Sequence, residues 1–325
     1  SIVEDQFKAG VTSLRGGKGA IYVRSSGNGF VSFEASSVAA DCAAANAINV
    51  SCQNAVMDPS MALPQNITVA ALNADGVAAS YSSAGASVWI AAFGGEDGRD
   101  GDAANGALPT DQSKPAMMTT DETGCTQGYV RTNNQFPANV FENAAAGEPA
   151  NNPNCSYTST FNGTSSAAPV LSGAIALLLE ARPELTWRDV KHVLQRTARQ
   201  VDASRAAVAV ALGDGNYIAE PAWTTNASGV KFHNAYGFGA VDIAPAVALA
   251  KTMTPNNLGT LVETAWTASG AVNVAIADNS IAGATSTIAE TSNLSIEAVR
   301  IAVNISHPSS GDLGVELISP SGTRS

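Results

Sequence analysis

Phe161-Asn162-Gly163-Thr164-Ser165-Ser166-Ala167-Ala168-Pro169 opens directly into an apolar run over residues 170–179. That run predicts a helix over 165–180. A serine therefore stands at the mouth of a helix, between small residues that leave room for a substrate backbone. A helix N-terminus offers unpaired N–H donors and the positive end of the helix dipole. A serine oxygen attacking a carbonyl needs such donors, because the anion that forms must meet hydrogen bonds already in place. Ser165 is the candidate nucleophile.

Outward from this stretch the chain reads as strands and helices. Residues 1–14 carry Ile2, Val3, Phe7, Val11 and Leu14 at helical spacing, and Gly16-Gly17 stops them. Ala20-Ile21-Tyr22-Val23, Asn66–Leu72 and residues 88–92 read as buried strands. Residues 30–65 show no sustained period, and residues 94–162 are polar and loop-rich, a long insertion. After the 165–180 helix, Thr186 and Asp189 form a near capping box that starts another helix through Val190, Val193 and Leu194. Tyr236-Gly237-Phe238-Gly239 is a turn, followed by helical spacing to about Lys251. Past Thr254-Pro255 the texture changes to short alternating runs at 260–265, 272–277, 296–305 and 313–318, the signal of an all-β unit. Two domains are expected, over 1–255 and 256–325, with the second continuing beyond Ser325.

Composition limits the function. A net charge of −11 argues against binding nucleic acid through phosphates; it suits a soluble protein and can favour cationic substrates. No stretch reaches the roughly 18 apolar residues of a membrane span, since Glu180 interrupts the longest run. The four cysteines fall as two local pairs, Cys42 with Cys52 and Cys125 with Cys155. Neither a Cys-x-x-Cys nor a nearby histidine cluster suggests zinc, so two disulfides in an oxidising compartment are expected. Four cysteines allow three connectivities, and free thiols are the alternative.

Gly163, Thr164, Ser165, Ala167 and Pro169 match the pattern Gly-Thr-Ser-x-Ala-x-Pro, and the segment resembles the nucleophile motif of subtilisin-like serine proteases. Further matches follow in family order and are most similar to the kexin/furin-like subgroup. Ser26-Gly27-Asn28-Gly29 resembles the turn that carries the oxyanion-hole asparagine. Residues 176–190 and Tyr236-Gly237-Phe238-Gly239-Ala240-Val241-Asp242 resemble the segments after the nucleophile. Ile305-Ser306-His307, Gly311-Asp312-Leu313 and Ser319-Pro320-Ser321-Gly322 resemble the P domain that follows the catalytic domain in kexin-type enzymes.

The resemblance implies an α/β fold: a subtilisin-like parallel sheet with helices on both faces, forming the C-terminal part of a catalytic domain, then a truncated all-β jelly-roll P domain. It implies a secreted or periplasmic serine endopeptidase that forms an acyl-enzyme on Ser165, with the Asn28 amide as oxyanion donor. Ser26, Gly27 and Asp58 would line the substrate site, Asp58 favouring a basic P1 residue. Structural calcium is expected, with Asp41 as a candidate ligand; Ser83, however, stands where the family pattern Tyr-Ser-Glu has its glutamate. Glu96, Asp97, Asp100 and Asp102 read as a solvated acidic loop, with calcium as the alternative. Peptide or protein substrates are the expected partners, and a propeptide or chaperone is left open.

The triad's Asp and His precede the oxyanion asparagine in this family, yet no histidine precedes Asn28 here. His192, His233 and His307 lack the family setting and read as surface or structural residues. The expectation is that both missing groups lie upstream of Ser1, and that these residues alone hydrolyse nothing, because an unactivated serine is a poor nucleophile. Two other readings are an inactive homologue that acts as a binding protein, and an esterase. An α/β-hydrolase would require Gly-x-Ser-x-Gly, and Ala167 stands at the last glycine.

Overall fold

A computed structural model describes residues 2–31, 37–99, 114–133, 138–144, 149–270, 272–308 and 310–325, with backbone alone at 37–41 and 310. Helix α1 (Ile2–Ser13) ends where the chain turns left-handed at Arg15 and Gly16, as the glycine pair predicts. Strand β1 (Tyr22–Ser25), helix α2 (Ser37–Ala47), strand β2 (Asn66–Leu72) and strand β3 (Val88–Phe93) follow. The strands form a parallel sheet in the order β1-β2-β3, with Tyr22 opposite Asn66 and Val69 opposite Ile90. Every residue of β2 is buried. A central parallel strand covered on both faces has to be continuously apolar or small, which is why it reads as one run rather than an alternation.

Beyond the sheet come strands β4 (Met117–Thr120) and β5 (Tyr157–Phe161), helices α3 (Thr164–Ala181) and α4 (Trp187–Thr197), strands β6 (Val208–Leu212) and β7 (Gly215–Glu220), the two-residue strands β8 (Thr224–Thr225) and β9 (Lys231–Phe232), and helix α5 (Ile243–Thr252). One face of the sheet, through Ile67, Val69 and Ile90, packs on Leu171 and Leu178 of α3, Val193 of α4 and Ala246 of α5. The other face, through Ala70, Leu72 and Ala91, packs on Val201, Tyr236 and Ala240. By length and mean hydropathy alone α3 could cross a membrane, which corrects the expectation that no stretch reaches that limit. Its packing on all three strands makes it a core helix instead.

The capping box at α4 is complete: Thr186 Oγ1 accepts from the Asp189 N–H, and Asp189 accepts from the Thr186 N–H. The antiparallel hairpin β4–β5 lies within the region expected to be loop, and β6–β7 lies where no strand was expected. In residues 256–325, expected as an all-β unit, the described residues form a 3-10 turn, Ser310–Asp312, and an antiparallel bridge between Ile318 and Arg324. A strand needs a neighbour to satisfy its backbone. Here Val262, Val274, Ile296 and Val303 stay exposed, and no ladder forms around them.

Parallel strands place their carboxyl ends on one side of a sheet, where ligand sites of α/β proteins gather. From β1 the chain enters Ser26-Gly27-Asn28, and from β3 it enters Gly94-Gly95. α3 starts close to both.

Candidate active site

Strand β5 delivers the chain to Gly163, which caps α3 with φ 96° and ψ 165°. That backbone suits glycine alone among common residues. A Cβ there would stand 3.1 Å from Asn28 Nδ2. The Gly163 carbonyl accepts the Ser166 N–H at 2.9 Å and begins the helix. Thr164 and Ser166 are buried while Ser165, in the second helical position, is exposed. Its N–H belongs to the first turn, whose donors have no partner within the helix.

Asn28 comes to the same place from the end of β1. The Ser26 N–H extends the ladder to the Val69 carbonyl at 2.9 Å, and Gly27 then turns the chain with φ 104°. Asn28 Oδ1 accepts the Thr164 N–H at 2.8 Å and the Thr164 hydroxyl at 2.7 Å. The Gly27 N–H donates to the same hydroxyl oxygen at 3.2 Å. With its oxygen engaged, the Asn28 amide turns its Nδ2 toward Gly163 and the start of α3. The structure thus brings Asn28 and Ser165 together from 137 residues apart. Thr164, which the sequence reading left without a role, is the joint between them. Ser26 is buried and offers a substrate no side-chain surface.

Asp58 does not stand free. Its carboxylate pairs with Arg24 of β1 at 2.7 Å and accepts from the Ser60 hydroxyl and N–H. Those Ser60 bonds, with Arg24 adding to them, hold it below the usual carboxylate range. The side chain of Asp41, on α2, lies outside the described residues, as do Asp100 and Asp102. Glu96 corrects the expectation of a solvated loop. It is buried, and its carboxylate accepts from the Ser80 N–H, the Ser80 hydroxyl and Asn73 Nδ2. Asp97 accepts from Asn162 Nδ2 at 2.6 Å. No group of three or more His, Cys, Asp or Glu side chains stands together among the described residues, and the Ser83 hydroxyl is taken by the Gly29 N–H.

None of the histidines bonds to Ser165 among the described residues. His233 is buried against Trp223 and Tyr236, its Nδ1 accepts the Ala235 N–H, and burial lowers its pKa to about 4. His192 lies half-buried on α4 and His307 is exposed in the C-terminal segment. The cysteines pair as Cys42–Cys52 and Cys125–Cys155, with no free thiol. The second bridge sits in a small core with Val130 and Ala144, and stays close in sequence to β5.

Comparison with known proteins points the same way. The subtilase family model matches residues 5–239, and the proprotein convertase P-domain model matches residues 296–325. The Aeromonas extracellular serine protease of Aeromonas sobria is 37% identical over 317 residues, covering 95% of this chain and 47% of that protein. Human proprotein convertase subtilisin/kexin type 5 is 37% identical over 172 residues, 52% of this chain and 8% of that protein. The crystal structure of the A. sobria protease with its chaperone ORF2 superposes with a TM-score of 0.67 at 32% identity, covering 82% of this chain and 41% of that one. This chain spans somewhat under half the length of the Aeromonas relatives it matches.

Proposed function

The chain belongs to the subtilase family, and from that membership we propose that it serves a serine endopeptidase of the kexin type. In this reading residues 1–255 form part of the catalytic domain and residues 256–325 part of the P domain. The observation that carries it is the convergence of Asn28 and the exposed Ser165 through Thr164.

Ser165 Oγ attacks the scissile carbonyl. The developing oxyanion is received by Asn28 Nδ2 and by the Ser165 N–H, donors held in place before the substrate arrives. Collapse of the tetrahedral species expels the amine and leaves an acyl-enzyme on Ser165, which water then hydrolyses. The serine proton needs an acceptor. Among the described residues His233 is buried with its Nδ1 engaged and no histidine bonds to Ser165; in this reading the base and its orienting carboxylate are supplied elsewhere in the full-length protein. The two disulfides favour an extracytoplasmic site of action. The A. sobria protease was solved with a chaperone, and a folding partner of that sort is part of the proposal here.

A preference for basic P1 residues rests on Asp58 and the net charge of −11. Since Arg24 already holds Asp58, a basic substrate side chain would share that carboxylate rather than own it. The test is the full-length gene product treated with a fluorophosphonate and with peptide substrates. Labelling of Ser165 and peptide cleavage, both lost in Ser165→Ala, are expected. An unlabelled protein would be the binding homologue, and one that cleaves esters but no peptide would be the esterase. Matched peptides with Arg or Leu at P1 decide the preference.

A further inference from the structure

The two reactive turns are not joined by Thr164 alone. Tyr81 lies in the loop between β2 and β3, and 1% of its surface is exposed. Its hydroxyl oxygen accepts the N–H of Gly163, two residues before the nucleophile, at 2.8 Å. Its backbone carbonyl accepts the N–H of Phe30, two residues after Asn28, at 3.0 Å. The hydroxyl proton goes to the carbonyls of Gly94 and Gly95 at the end of β3. One residue therefore holds the Asn28 turn with its main chain and the Ser165 turn with its side chain.

The surroundings make it a rigid strut. Ser80, the preceding residue, is bound by both oxygens of buried Glu96. Ser83 donates its N–H to the Gly27 carbonyl at 2.9 Å, and its hydroxyl accepts the Gly29 N–H at 2.9 Å. A Cβ at Gly94 would fall 2.7 Å from the Gly163 carbonyl, so β3 has no slack against the nucleophile turn. Burial pushes the Tyr81 hydroxyl's pKa up, and it remains protonated across the working range of a hydrolase.

We propose that Tyr81 is a positioning residue for the nucleophile: its hydroxyl fixes the Gly163 N–H, and with it the separation between Ser165 and the Asn28 amide. The proposal rests on the reading of Ser165 as the nucleophile. Gly163 is buried, and without the hydroxyl its N–H loses this partner. A misplaced nucleophile lowers the rate of the chemical step more than it weakens substrate binding.

The experiment is Tyr81→Phe in the full-length gene product. Peptide turnover and the rate of Ser165 labelling by a fluorophosphonate are read on protein shown to be folded by circular dichroism. Expected is a fall of about tenfold in kcat and in labelling rate, the cost of one unmet buried donor, with KM within twofold. Unchanged kcat and labelling, even with a lower melting temperature, would show a merely structural tyrosine and overturn the proposal. Should Tyr81→Phe not fold, 3-fluorotyrosine at position 81 keeps the ring and weakens the acceptor. A drop in kcat at constant KM then supports the strut, and equal kcat overturns it. Wild-type protein that is never labelled fails at the nucleophile reading, and takes this inference with it.

Discussion

Thr164 grips Asn28 by a single oxygen: its N–H and its hydroxyl both donate to Asn28 Oδ1, at 2.8 and 2.7 Å. The hydroxyl oxygen also takes the Gly27 N–H, so the backbone before the asparagine and the amide beyond it are fixed by one side chain. An amide whose oxygen is held in this way presents its nitrogen in one direction. In the proposed reaction such a donor is pre-aimed, with no reorganisation left for the moment of attack.

Thr164→Val keeps the shape and removes that hydroxyl. The Gly27 N–H loses its acceptor and Asn28 loses one of its two donors. A loss of about 1–2 kcal/mol in transition-state stabilisation, roughly tenfold in kcat, is expected. Thr164→Ser should restore most of it. The check is kcat and KM for one peptide across the series, and an unchanged kcat in the valine variant would show that the Asn28 amide needs no such anchor.

Asn28→Ala removes the donor itself and should lower kcat by about 10²–10³, the loss found when an oxyanion-hole asparagine is removed from a subtilisin. Asn28→Asp separates anchoring from donation. A carboxylate still accepts from Thr164, so the turn should keep its thermal stability. It cannot donate and it repels the oxyanion, so its kcat should fall at least as far. Melting curves beside turnover numbers distinguish the two variants.

Much of this site was legible because its signals are local. The helix behind Ser165 shows as one apolar run, β2 as a run of small or apolar residues from Ile67 to Leu72, and the α4 start as a capping box. Helix α2, Ser-Val-Ala-Ala-Asp-Cys-Ala-Ala-Ala-Asn-Ala, hid because small residues on every side leave no periodic contrast. Strands β4 and β5 hid because their threonines and serines alternate only weakly, and because Met117 finds its partner at Phe161, far along the chain. Residues 256–325 show the opposite case: the alternation is clear, but periodicity alone supplies no neighbouring strand. Nothing in local sequence marks the role of Tyr81, since its bond to Gly163 spans 82 residues.

The C-terminal segment is held to the subtilase-like part of the chain in part through Arg188, in the first turn of α4. A cation is disfavoured at a helix N-terminus, so partners elsewhere have to hold it. Its guanidinium pairs with Glu297 and donates to the carbonyls of Leu258 and Gly259. Glu297→Gln should cost about 1–2 kcal/mol of local stability. Faster amide hydrogen exchange over 256–300, with exchange in β2 unchanged, is the expected readout. Uniform exchange in both proteins would show that Arg188 does not hold this segment.

Lys191 links stability to pH. Its ammonium donates to the carbonyls of Pro64 and Asn66 at 2.5 and 3.1 Å and stands 3.8 Å above the Trp89 ring. Burial lowers its pKa from 10.5 to about 7, with the more distant Glu297 opposing weakly. Between those two values the unfolded chain holds a proton that the folded protein has released. Stability from this group therefore rises with pH across that window, with a slope of at most about 1.4 kcal/mol per pH unit. Below it both states are charged, and the contribution is flat at its least favourable value. Lys191→Met removes the titration and also two hydrogen bonds, a loss that does not vary with pH. Urea unfolding of both proteins at pH 6, 7.5 and 9 isolates the effect, because every other group titrates alike in the two. The wild-type free energy should climb relative to the variant across this range, and more steeply between pH 7.5 and 9 than between pH 6 and 7.5. A constant difference from pH 6 to 9 would mean that the buried amine keeps its charge, held by the two carbonyls and the indole face more strongly than burial opposes it.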